Sequence, residues 1–303
     1  MAKTQLITGL GLGAALGVAL GALVIAPNLT TSVADDDPIR AEHRKVVQEN
    51  KILQNQNEAS DDIVKNVAPD LVSGTLSQRP VLVISTDDAN SRDLSDITKL
   101  LEASGATKAG EIKLSKEFLR GESKDNIVSI LKDKAPKKAD LKGLDKTVGS
   151  YGGEALGAAL SMDPESTEPL ASVKERSELL RALRDKEFID YEDGTILPAQ
   201  SIIIVSGSGV RGYYSDTLAE FATALDEVNG SVVLSARAKQ TQDEKTIEQL
   251  RTKDVDLSTV DGIERAVERI AVISAAEEQL NGGRGDYGSA ESADSALPEE
   301  EKE

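Results

Sequence analysis

The sequence predicts an α/β body, its mostly parallel sheet flanked by helices, behind an N-terminal transmembrane (or signal) helix and a coiled-coil stalk. Three observations predict it. Two short apolar runs, 81–84 (VLVI) and 201–206 (SIIIVS), have the form of strands buried on both faces. Helical periodicity alternates with such runs from residue 91 to 280, the order of a parallel layer. Ahead of them, residues 6–26 carry no charge and residues 38–68 repeat by seven. The chain divides into an anchor or signal segment at 1–28, a stalk at 35–70, an α/β extracytoplasmic domain at 79–284 and an acidic disordered tail at 285–303.

The apolar run comes first. A helix rises about 1.5 Å per residue, so 6–26 reaches roughly the 30 Å of a bilayer core. Gly9, Gly13, Gly17 and Gly21 recur every four residues and share one stripe, which lets a second helix approach closely. Two fates stand for this segment: a retained anchor, or a signal peptide cut after Ser32-Val33-Ala34. Lys3 precedes the run and Asp35, Asp36 and Asp37 follow it, which places the body outside the cytoplasm.

The stalk helix opens with Pro38 at a first-turn position. Ile39, Val46 and Leu53 fall on d of a heptad; His43, Asn50 and Asn57 fall on a. An Asn at a fixes register and favours a two-stranded pair, so stripe and seam together predict a homo-oligomer through residues 6–68. A single solvated stalk helix is the alternative. Pro69 and Ser73-Gly74 mark its end.

In the body, 81–84 is followed by a loop at Thr86-Asp87-Asp88. A helix over 91–104 carries Leu94, Ile97, Leu100 and Leu101 on one face, and Gly105 stops it. Residues 106–114 form a strand and 115–133 a helix that breaks at Gly121. A lysine-rich loop, a Gly/Ala-rich helix over 151–162 and an amphipathic helix over 172–187 lead to the central strand 201–206. Then come a helix to about 228, a strand at 231–236, a charged helix at 243–253, an edge strand at 255–260 and a last helix at 261–280.

Composition excludes several functions. Thirty-five Lys+Arg against 53 Asp+Glu give a net charge of −18, which repels nucleic acid. There is no cysteine, so there are no disulfides, thiolate sites or cysteine nucleophiles. One histidine, in the stalk, leaves no base for a hydrolytic triad, and no enzyme is predicted. With two methionines, soft metal ligands are scarce, so no catalytic or metal residue is assigned. Gly207, Gly209 and Gly212 follow the central strand in dinucleotide-binding spacing. The acidic residue expected about twenty positions on is missing, since Ser235-Ala236-Arg237 stands there. The loop is therefore a candidate ligand loop at a sheet edge, without a predicted cofactor.

Taken in order, GLGLGAALGVALG, ENKILQNQNEA, VLVIST, GEIKLSKEFL, LLRALRDKEFIDY, SIIIVSGSG, STVDG and QLNGGRGDYGSA resemble the mycobacterial copper transport protein B family. The resemblance covers roughly residues 5–290. The family's closing stretch often has His before Tyr-Gly; Asp286 stands here. The resemblance implies a non-enzymatic, membrane-anchored envelope protein that supports copper efflux and homeostasis, as a pore-associated part or as an assembly component. Copper enters as transported ion through that resemblance alone. The alternative is an envelope scaffold whose stalk sets spacing and whose body binds a protein or another ligand.

Overall fold

The computed structural model describes residues 38–142, 147–209, 212–242, 245–253 and 255–299, with side chains from residue 42 onward. The expected anchor and its glycine stripe, Gly9, Gly13, Gly17 and Gly21, lie outside the described residues. Among those described, no helix is long and apolar enough to cross a membrane.

Contacts divide the chain into two units, Met1–Asn66 and Val67–Glu303. The described part of the first is helical and belongs to α1, Pro38–Leu71. The second opens with the end of α1 and the turn that follows it, and Ala68 in the helix and Val72 and Leu76 beyond it are buried. Gly74, in a left-handed conformation, turns the chain there.

Among the described residues the sheet has seven strands: β1 Pro80–Ser85, β2 Thr107–Leu114, β3 Ile189–Tyr191, β4 Ser201–Val205, β5 Val232–Ser235, β6 Ser258–Val260 and β7 Asp286–Tyr287. Their order is β3-β2-β1-β4-β5-β6-β7. Every neighbouring pair is parallel except β2 with β3. β1 and β4 are paired from Val81↔Ser201 to Ser85↔Val205, and all five residues of β4 are buried, as a two-sided apolar run requires. A register shift in β1–β2 opposite Ala109 and Gly110 is permitted by Gly110, at φ 119°. A Cβ there would stand 2.7 Å from Ile196 Cδ1.

On one face, Leu82, Ile84, Ile112, Ile202, Ile204, Val232 and Leu234 join a single core with the helices α4 Lys124–Lys134, α5 Val148–Leu160, α6 Val173–Arg184 and α7 Tyr213–Asn229. A short helix, α3 Lys116–Leu119, precedes α4, and the expected break at Gly121 separates them. Every residue of α5 is buried. On the other face lie α2 Ser91–Ala103 and α9 Ala266–Leu280, which packs on α2 and on β4, β5 and β6. Helix α8, Thr246–Lys253, lies between β5 and β6 in sequence.

Four expectations are corrected. In α2, Asp93 and Asp96 are buried with Ile97, Leu100 and Leu101, whereas Leu94 is half-buried. The acids turn inward because Arg237 Nε donates to Asp93 (2.7 Å) and Arg269 Nη1 donates to Asp96 (3.1 Å). The last helix begins at Ala266 rather than at 261, because Asp261 and the left-handed Gly262 form a loop first. β6 is not the edge strand, since β7 pairs along its outer side. Residues 285–299, expected as disordered tail, continue the fold. The N–H groups of Ser289 and Ala290 donate to Asp261 Oδ1 (3.1 and 3.2 Å), and Gly288 N donates to Ser295 O (3.0 Å). Arg251, buried beside them, donates to Asp261 Oδ2 (3.0 Å), Ser292 Oγ (2.9 Å) and the Tyr287 carbonyl (2.8 Å).

Candidate functional site

The strand order reverses at β1 and β4. The helix after β1 goes to one face of the sheet and the helix after β4 to the other. In open α/β sheets the crevice at the carboxyl ends of such a strand pair is the usual ligand site. Thr86, Asp87 and Asp88 stand at the end of β1, and Ser206 to Gly209 at the end of β4.

This crevice is occupied by the chain itself. Asp88 Oδ2 accepts from Gly209 N (2.8 Å). Its Oδ1 accepts from Gly207 N (3.2 Å), Thr86 Oγ1 (2.6 Å), Ser206 Oγ (3.4 Å) and Tyr214 Oη (2.9 Å). The glycine N–H groups that a diphosphate would use are thus held by an internal carboxylate. A Cβ at Gly207 would overlap the Asp88 carbonyl, so only glycine permits this approach. Gln240 Nε2 donates to Ser206 Oγ (3.3 Å) and Lys245 Nζ to the Ser208 carbonyl (2.8 Å), closing the loop from the other side. Gly212, at φ 72°, is the residue before α7 and supplies no side-chain cap.

The electrostatics match the geometry. Burial alone lifts the Asp88 carboxyl, but Thr86, Gly209 N–H, Tyr214 and Gly207 N–H outweigh it and hold the group below the ordinary carboxylate range. Burial first, and the charge of Asp88 second, push the Tyr214 phenol well above its usual range. Tyr214 therefore acts as a hydrogen-bond donor to the Asp88 carboxylate at neutral pH. Asp87, whose Oδ1 lies 3.1 Å from Tyr214 Oη, completes the loop.

The stalk residues fall elsewhere. Val46 is 49 % exposed and Leu53 51 %; His43, Asn50 and Asn57 are exposed as well. Ile39 lies in the helical backbone of α1, ahead of the described side chains. Two residues that the seam reading omits, Val47 and Ile63, are exposed beside it at 52 % and 61 %. They occupy e and g of the same heptad, and their apolar character was the signal for a broader face.

Among the described residues, no three His, Cys, Asp or Glu side chains are grouped as a metal site. Asp286 accepts from Thr259 Oγ1 (2.6 Å) and lies 3.6 Å from Arg251 Nε. Burial lifts this carboxyl, and Thr259 and Arg251 oppose the lift. A crease by β1 and α2, lined by residues such as Val81, Val83, Leu101 and Gly110, encloses about 30 Å³, room for a water or two. The role of Asp88 was missed from sequence, where Asp87-Asp88 reads as a solvated loop. Its signal was an acid three residues past a buried strand, in a chain that also carries a glycine loop.

Known proteins match this chain over most of its length. The family described as "Copper transport outer membrane protein, MctB" matches residues 6–298. Curated proteins named copper transporter MctB from Mycobacterium tuberculosis and Mycobacterium bovis are 26% identical over 295 residues, covering 93% of either chain. The protein of that name from Mycobacterium leprae is 25% identical over 240 residues, covering 75% of this chain and 74% of its own. From an apolar leader to a tail clasped by Asp261, this chain belongs to the MctB family.

Proposed function

We propose that this protein is a non-enzymatic component of copper transport at the cell envelope, with its body outside the cytoplasm and residues 6–26 as its anchor. The observation that carries the reading is the family match across residues 6–298, which spans leader, stalk and body. Copper is cargo in this reading rather than a resident cofactor. The donor set suits that: one histidine, two methionines and no cysteine provide few soft ligands. Association of chains, through the glycine stripe Gly9, Gly13, Gly17 and Gly21 and the α1 seam, supplies the copies that a conduit built from one helix per chain needs. The test is deletion of the gene in its host, followed by growth on graded copper and measurement of cell copper. Raised sensitivity and raised cell copper, both reversed by complementation, are expected. Unchanged growth and unchanged copper reject the role.

A second reading, an envelope scaffold, is favoured by one observation. Val46, Val47, Leu53 and Ile63 leave an apolar face on α1 exposed. Pull-down from detergent extract distinguishes the two: a scaffold returns a stoichiometric second protein, and a homo-oligomer returns only this chain.

A further inference from the structure

Asn229-Gly230 and Asn281-Gly282 are the two places where an asparagine precedes a glycine, and the fold treats them in opposite ways. Both stand at a helix end, Asn229 as the last residue of α7 and Asn281 as the residue after α9. Both glycines are left-handed, at φ 73° and 84°. The pairing matters chemically. A glycine has no side chain to shield its backbone nitrogen from the amide carbon of the asparagine before it.

Asn229 is locked in place at 3 % exposure. Its Nδ2 donates to Ser161 Oγ (2.9 Å) and to the Ala199 carbonyl (3.4 Å), and its Oδ1 accepts from Ser231 N (3.2 Å). Gly230 N donates to the Asp226 carbonyl (2.7 Å). Turning the Asn229 Cγ onto that nitrogen breaks buried hydrogen bonds and leaves their partners unsatisfied. Asn90, which precedes Ser91, is also engaged, because its Oδ1 caps α2 by accepting from Arg92 N (2.9 Å) and Asp93 N (3.4 Å).

Asn281 is exposed, and among the described residues its side-chain amide makes no hydrogen bond. Gly282 is exposed as well, and a Cβ on it would meet nothing within 4 Å. Its nitrogen is held by one bond, to the Gln279 carbonyl (3.0 Å) in the last turn of α9. Helix ends of this kind open at low cost.

We propose that Asn281 is a site of spontaneous deamidation. Gly282 N loses its proton and bonds to Asn281 Cγ. The Cγ–Nδ2 bond breaks and ammonia leaves, which closes a succinimide ring. Water then opens the ring at either carbonyl, giving an aspartate or an isoaspartate. The product puts a new charge at the negative end of α9, beside Glu277 and Glu278, and the iso form adds a backbone carbon to the turn that leads into β7. The proposal is independent of copper transport.

The test incubates the full chain in detergent, in mildly alkaline buffer at physiological temperature, and reads its peptides by chromatography and mass spectrometry over time. The peptide carrying Asn281 is expected to convert to the acid mass as two separable forms, while those carrying Asn90 and Asn229 keep their amides. In concentrated urea Asn229 and Asn281 are expected to convert at similar rates, which assigns the difference to the fold. Asn281→Gln, which keeps an amide but lengthens the side chain, is expected to lose the conversion in the folded chain. An amide retained at Asn281 in folded protein while the urea sample converts, or conversion of Asn229 as fast as Asn281 in folded protein, overturns the proposal.

Discussion

Asp88 sits where its carboxylate meets the hydroxyls of Thr86 and Tyr214 and the N–H groups of Gly207 and Gly209. An amide in its place turns an NH2 group toward one set of those donors, which costs about 1–3 kcal/mol. Asp88→Asn is therefore expected to lower the unfolding midpoint at pH 7. The sign with pH follows from the depressed carboxyl: its stabilisation is present above the ordinary value of 3.8 and lost as pH falls through the lower folded value. The gap between wild type and variant should close in that acid range; a gap that persists there would count against the assignment. Asp226 behaves in the opposite sense. Burial raises it from 3.8 to about 6, although its Oδ1 accepts from Val232 N (3.0 Å). The folded state binds the proton more tightly, so stability falls as pH rises from about 4 to about 6. Asp226→Asn keeps the acceptor and removes the ionisation. It should equal wild type near pH 4 and exceed it at pH 8 by on the order of 2 kcal/mol. Denaturant melts at both values check this, and a variant no more stable at pH 8 refutes it.

At the scale of elements, α5 and α7 show how a Gly/Ala-rich sequence can make a core helix. Gly149, Gly153 and Gly157 repeat every four residues along α5, the same small-residue spacing as at Gly9, Gly13, Gly17 and Gly21, but here against α7 on one face of the sheet. A Cβ on Gly153 would stand 2.7 Å from Ala224 Cβ and from Leu225 N of α7, and one on Gly157 2.9 Å from Val228 Cβ. The two helices approach at backbone distance, so the packing depends on these hydrogens. Alanine is the better helix former by about 1 kcal/mol, yet overpacking of this kind costs about 1–3 kcal/mol. Gly153→Ala is expected to be net destabilising, read as a lower midpoint in urea. A stabilised variant would mean that α5 and α7 are free to separate. The Gly/Ala-rich helix was legible in sequence, though it begins at Val148 rather than 151, but its partner was not, since composition within one helix does not name the helix opposite.

For the whole molecule, the parallel sheet was legible because VLVI and SIIIVS are apolar without alternation, which buried strands require. That β4 lies beside β1 was not legible. Local periodicity carries no information about pairing over 119 residues, the separation of Asp88 and Gly207. The same distance hid the occupant of the glycine loop, although the loop itself was plain from its spacing. The closing segment was misread because its Ala/Ser/Glu composition suggests a solvated tail. Its order comes from Asp261 and Arg251, two residues outside it. The glycine loop and five of the seven described strands were thus open to inspection of the chain; β3, β7 and the long-range partners were not.

Tyr287 and its neighbours also bear on how the molecule is made. β7 is the last described strand in the chain, so until Asp286 and Tyr287 dock the outer side of β6 stays unpaired. Bare backbone of that kind can recruit another copy's strand, and a product truncated before Asp286 keeps that sticky rim for good.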